Sequence, residues 1–239
     1  MNKLDKERSV FDSTIPLLSN LYGTFEADPE QTDRPDAAIV LKQNNKRVGI
    51  EITSVDKKND QEYFNNTKIS RDVELQQVKA LAEDGIYSSK PTKKLSIAFP
   101  YDYIFESVIK KADKYPSYVE AGVYDEMLIL AFSEHLSLEH ESFNHYLKPW
   151  TAFLLAQQKF PFDKVIFVCK RTSSAVVIYD KTLPIQEPPK RDLSKESGVT
   201  KIHGPVLPFG KKINIKDFFN EKPSVPTKKK SRKAKRAKK

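Results

Sequence analysis

Two short runs around an asparagine pair constrain the fold more than any other part of the chain. Ala37 to Lys42 and Arg47 to Thr53 are rich in Val, Ile, Leu and Thr, and they flank the polar break Gln43-Asn44-Asn45-Lys46. Asparagine tolerates positive φ, so the break predicts a tight turn and the two runs a β-hairpin. With Asn44 and Asn45 as the turn, Gln43 faces Lys46 and cross-strand partners sum to 89, which sets Asp36 opposite Thr53. Glu51, two residues back, then projects from the same face as Asp36 and Thr53, while Val48, Ile50 and Ile52 point the other way. A lone strand carboxylate usually sits on a solvent face. A strand that is apolar on one side and carries Gly49, Glu51 and Thr53 on the other suits a cleft better.

Pro35-Asp36, about fifteen residues, and then Glu51-x-Thr53 resembles the PD-(D/E)xK superfamily, the restriction-endonuclease-like and Holliday-junction-resolvase-like metal-dependent phosphodiesterases. The resemblance covers roughly the first hundred residues. It implies an α/β fold with an α/β/α layered mixed central sheet, and a nuclease or endonuclease acting as a hydrolase on DNA, or on RNA. Asp36 and Glu51 would be catalytic and metal-ligating, the backbone carbonyl of Ile52 a further ligand, and Glu7, on the helix before the hairpin, the third carboxylate, with Glu26 the second choice. Hydrolysis of a phosphodiester brings a nucleophilic water against a phosphorus ringed by negative oxygens, so carboxylates can serve only through a cation. Mg²⁺, or Mn²⁺ in its place, takes oxygen ligands, keeps several waters and bridges to phosphate, and one or two ions clamp the attacking and leaving oxygens.

The sequence departs from the resembled family at Thr53, where lysine is usual. Either Lys68, at the start of the next helix, supplies the missing ammonium, or threonine suffices with two metals, or the site does not cleave and the chain is a nucleic-acid-binding module on a degenerate nuclease scaffold. Lys42 shares the face of Asp36 but lies six residues along the strand, about 20 Å away. Gln76 and Gln77 resemble a glutamine that some exonuclease branches carry on this helix, although surface helix glutamine is far commoner.

The rest of the chain predicts helices alternating with buried strands. Leu4, Phe11, Ile15, Leu18 and Tyr22 recur at helical steps over 2–22. Residues 26–34 are polar and Pro-punctuated, a loop, and 54–66 a flexible excursion near the site. Helices are expected over 67–83 and 101–119 and, interrupted near Pro149, over 137–159; strands are expected at 95–100, 127–132, 164–169 and 175–179. Continuous apolar strands separated by helices indicate a sheet covered on both faces. His135, His140 and His145 are spaced by five and do not align as a helical zinc pair. Trp150, Tyr146 and Phe153 at helical spacing are core candidates.

The predicted organisation is a core over 1–180, an irregular wrap over 181–222 with one apolar piece at 213–219, and a disordered tail over 223–239. Lys228, Lys229, Lys230, Arg232, Lys233, Lys235, Arg236, Lys238 and Lys239 form a cationic block without an acid. Removing those nine from the 41 basic residues leaves 32 against 32 acidic ones, so the body is formally neutral. Such a block releases counterions from phosphates and binds nucleic acid without regard to sequence. The lone Cys169 excludes an internal disulfide. No apolar run is long enough to span a membrane and no secretory signal is present, so the expected setting is the cytoplasm, or the nucleoid in a bacterium, with DNA as the partner and a homodimer as a further assembly.

Overall fold

The computed structural model describes residues 3–28, 31, 34–65, 75, 77–83, 85, 93–121, 123–190 and 198–203. Lys68, Gln76, the 213–219 piece and the whole Lys/Arg tail lie outside the described residues. The chain divides into two compact units, Met1–Glu62 with Leu95–Lys201, and Tyr63–Lys94 with Ile202–Lys239. In the second unit, residues 77–83 are helical, as expected.

The first unit is built on α1 (Lys3–Tyr22) and the strands β1 (Phe25–Ala27), β2 (Ala37–Leu41) and β3 (Arg47–Ser54), followed by α2 (Lys58–Asn65) and β4 (Lys93–Ala98). After β4 come α3 (Phe105–Val108), a 3₁₀ turn (Ile109–Lys114) and α4 (Tyr115–Glu120), then β5 (Glu126–Ser133). A π-helical turn (Phe143–Leu147) leads into α5 (Lys148–Gln157), and β6 (Lys164–Cys169), β7 (Ser174–Asp180) and β8 (Gly198–His203) complete the described chain. Six strands pair in the order β1-β2-β3-β5-β6-β7. The β3–β5 and β5–β6 pairings are parallel and the rest antiparallel, so the sheet is mixed.

Alternation along the strands sends side chains into two cores. On one face, Ile50, Ile52, Leu128, Leu130, Ile166 and Val168 pack with Val10 and Leu18 of α1. On the other, Ile129, Ala131, Val165 and Phe167 pack with Ile104, Val108, Tyr118, Leu147 and Leu155 from the helices after β4. The sheet is thus covered by helices on both sides, which accounts for the near-continuous apolar runs of β5 and β6.

Several expectations are corrected. The inward stripe of α1 runs through Val10, Thr14 and Leu18, and Leu4 is 72% exposed; the helix also continues through Pro16. Residues 25–27, placed in or beside the expected loop, form β1 on the free edge of β2. The excursion after Thr53 contains α2, whose polar sequence KNDQEYFN hides its helicity. The strand expected at 95–100 exists but joins β8 in a separate two-stranded sheet, not the central one. Tyr146, Trp150 and Phe153 do pack ring to ring, with Tyr101 edge-on to Trp150.

Candidate active site

The register of the hairpin decides what the site contains. Ala37 pairs with Ile50, Ala38 with Gly49, Ile39 with Val48 and Val40 with Arg47, so partners sum to 87 and not to the expected 89. The chain turns through the four residues 42–45: the N–H of Leu41 donates to the Lys46 carbonyl and that of Asn45 to the Leu41 carbonyl, with Asn45 at φ +56°. An asparagine suits this left-handed position, and its neighbour Asn44 accepts from the N–H of Lys46. Continuing the register by one residue sets Asp36 opposite Glu51, not Thr53. Direct cross-strand partners share a face and lie closer than diagonal ones, so the two carboxylates are drawn together more tightly than the sequence spacing predicted.

Each is held by what surrounds it. Asp36 lies just before β2 begins, and its Oδ2 accepts the N–H of Ile52 at 2.7 Å, standing in for the backbone partner that β2 no longer provides. Glu51 is only 1% exposed. Its Oε1 accepts from Lys111 Nζ at 2.7 Å and Lys114 Nζ at 2.6 Å, and its Oε2 from the Tyr118 hydroxyl at 2.7 Å. Gly49, on the same face, is closely covered: a Cβ there would meet the sulfur of Met127 and the ring of Tyr124.

These surroundings move the two carboxyls apart. Burial pushes Asp36 up, and the charges of Glu51 and Glu7 push the same way, against the hydrogen bond from Ile52. Burial also pushes Glu51 up, but the hydrogen bonds from Lys111, Lys114 and Tyr118 outweigh it and hold the carboxyl below the ordinary glutamate value. Lys114 is raised in turn: burial lowers it, yet the bond to Glu51 and the attraction of Glu51 and Asp36 prevail. The Tyr118 hydroxyl is raised by burial and by its bond to Glu51. Opposite displacements in a pair of neighbouring acids separate a group held ionised from one ready to take a proton.

Glu7, on α1, lies close enough for its charge to act on Asp36. Thr53 is half-buried at the mouth of the adjoining cleft. A strand residue sends its N–H and C=O to the same side, so the carbonyl of Ile52 leaves β3 on the side where its N–H meets Asp36. Glu26, the second choice, is on edge strand β1 and pairs with Lys42, away from the pair. His135, His140 and His145 do not assemble into a metal group: among the described residues, no three His, Cys, Asp or Glu side chains do. Mg²⁺ needs no such cage, since one or two carboxylates with waters and substrate phosphates suffice. The donor set fits that pattern: no donor among the described residues reaches Oδ1 of Asp36, and Oε2 of Glu51 accepts a single bond.

Sequence reasoning missed Lys111, Lys114 and Tyr118. A signal was present: Ile104, Val108, Lys111, Tyr115 and Tyr118 follow three- and four-residue steps, so a lysine interrupts an otherwise inward-facing stripe. A second buried carboxylate was also missed. Asp56 is 7% exposed and accepts from Ser133 Oγ at 2.5 Å, the Tyr103 hydroxyl at 3.2 Å and the N–H of Glu134 at 2.7 Å. It ties the end of β3 to the end of β5, at the carboxyl ends of parallel strands where α/β sheets open their crevices. Compared with protein-family models, with curated proteins and with solved structures, the chain matches none.

Proposed function

We propose that the chain is a divalent-metal-dependent phosphodiesterase that hydrolyses nucleic acid, DNA in the first instance. The observation that carries this reading is the placing of Asp36, one residue beyond the Ala37–Ile50 pair, within reach of the charge of Glu51, with two ammonium groups held on Glu51. Asp36 Oδ1 and Glu51 Oε2 are the oxygens that would hold Mg²⁺ or Mn²⁺, with Glu7 contributing directly or through water. When bound, such an ion supplies a water activated for attack and neutralises the phosphate oxygens.

The chain's own groups do the rest. Glu51, held ionised by its donors, keeps a fixed negative charge at the floor of the site. Asp36, pushed up by burial, is the better proton acceptor of the two. Lys111 and Lys114 bring to the site the positive charge that Thr53 lacks, and preorganised charge of this kind stabilises the negative charge that gathers on phosphate oxygens during displacement. Lysine supplied from a following helix stands where the resembled family has its usual lysine; Lys68 lies outside the described residues.

A second reading, a nucleic-acid-binding module without catalysis, is favoured by one observation: both oxygens of Glu51 already accept hydrogen bonds from the protein. The two are separated by a cleavage assay on single-stranded, double-stranded and branched DNA and RNA with Mg²⁺ or Mn²⁺. Cleavage that disappears in Asp36→Ala and Lys111→Ala supports the enzyme. A folded, nucleic-acid-binding protein that cuts none of these substrates leaves the binding module.

A further inference from the structure

Next to the carboxylate pair, a cleft of about 520 Å³ is walled by residues 53–59 on one side and by Tyr103, Glu106, Ser107, Lys110 and Lys111 on the other. Four lysines line it, Lys57, Lys58, Lys110 and Lys111, against the two acids Asp56 and Glu106. Asp56 is spent on Tyr103, Ser133 and Glu134, and Lys111 on Glu51. Lys58 has Glu62 at 3.5 Å. Lys57 and Lys110 are exposed and have no ion-pair partner among the described residues. Lys57 and Lys110 are therefore the two ammonium groups of the cleft left open to an anion, while the charge of Asp56 is held by three neutral donors away from them.

Its walls are fixed. Asp56 clamps the 53–59 segment to β5, and Ser107 Oγ donates to the Val55 carbonyl at 3.5 Å, tying in α3. Helix α2 starts at Lys58, which lines the cleft with Lys57 and Asn59, so the positive dipole end of the helix adjoins it. The Thr53 and Ser107 hydroxyls add short polar groups. Lys111 lines the cleft and also holds Glu51, so one side chain links the cleft to the carboxylate pair.

We propose that this cleft is a phosphodiester groove: it seats backbone phosphates of a nucleic-acid strand on Lys57, Lys110 and the α2 N-terminus and leads the chain to Asp36 and Glu51. The strand's identity as substrate rests on the phosphodiesterase reading, whereas the cleft's affinity for it does not. Lysine binds phosphate as a point charge without the fork of arginine, and phosphate contacts fix a strand without reading its bases. The groove accordingly holds strands of any sequence, and the folded body binds them separately from the Lys/Arg tail.

Lysine acetylation footprinting of the full chain in EDTA tests this, with a single-stranded oligonucleotide of about 12 nucleotides as probe. Saturable protection of Lys57 and Lys110, with Lys42 and Lys79 unprotected, is the expected result. In Lys57→Ala/Lys110→Ala, the plot of log affinity against log salt becomes shallower by about 1.4, the value for two single-strand phosphates. Protection confined to the tail lysines overturns the proposal, as does equal protection by a polyglutamate peptide of matched charge. Protection at Lys57 and Lys110 by a protein that cleaves nothing in Mg²⁺ or Mn²⁺ sustains the groove and removes the phosphodiesterase reading alone.

Discussion

Lys111 places its ammonium 2.7 Å from Oε1 of Glu51, a side chain that is almost wholly buried. A pair enclosed to this degree is costly to break from one side, because the surviving charge is left without its partner. Glu51→Ala is expected to lower unfolding free energy by about 3 kcal/mol. Lys114, whose side chain is 50% exposed against 20% for Lys111, is screened by water. Lys114→Ala should cost less than about 1 kcal/mol, and Lys111→Ala should fall between the two. Urea denaturation of the three variants checks that order.

The two acids of the pair have opposite effects on stability. Because burial pushes Asp36 up and its neighbours' charges add to this, the folded state favours its protonated form, and its contribution is lost as pH rises through the folded value. Asp36→Asn keeps an oxygen that can accept from Ile52 and removes the charge. It is expected to be at least as stable as the parent at pH 7 while losing metal-dependent cleavage. Thermal melting alongside the cleavage assay reads both properties, and a large loss of stability would show that the charge is structural.

Glu51 titrates in the other sense. Burial raises it, but its three donors hold it below the ordinary value of 4.5. The stability it contributes is present above that value and is lost as pH falls through the lower folded value. Unfolding measured from pH 7 down to pH 3 should therefore show an acid limb that is flattened in Glu51→Gln.

Gly49→Ala puts a methyl group where the Met127 sulfur and the Tyr124 ring already stand. Overpacking of this kind costs about 1–3 kcal/mol. Adding Met127→Ala should return part of the loss, and a double variant no more stable than Gly49→Ala would argue that the glycine is needed for another reason.

Much of the sheet was legible because its strands carry their own pattern. Ile50 and Ile52 alternate with Gly49, Glu51 and Thr53, and β5 and β6 are apolar enough to require cover on both faces. The register was legible only in parity. Both 89 and 87 put Asp36 and Glu51 on one face, but choosing between them depends on whether the chain turns in two residues or four, and two adjacent asparagines suit either. Lys111 and Lys114 were hidden for a different reason: their partner is 60 residues away in sequence in the case of Lys111, and only the tertiary fold shows that a lysine on an inward stripe has found a buried acid. Asp56 was overlooked because its donors, Tyr103, Ser133 and the backbone of Glu134, come from two distant segments.

The bend closed by Asn45 has an evolutionary consequence. It touches neither acid, yet its length sets their alignment, so lengthening or shortening it by one residue would, in a re-paired ladder, turn one acid toward the α1 core. A change of two would keep both on the same side but slide them out of opposition. Related chains that retain this chemistry should accordingly tolerate almost any residue type at 42–44 while keeping the number of residues between the strands constant.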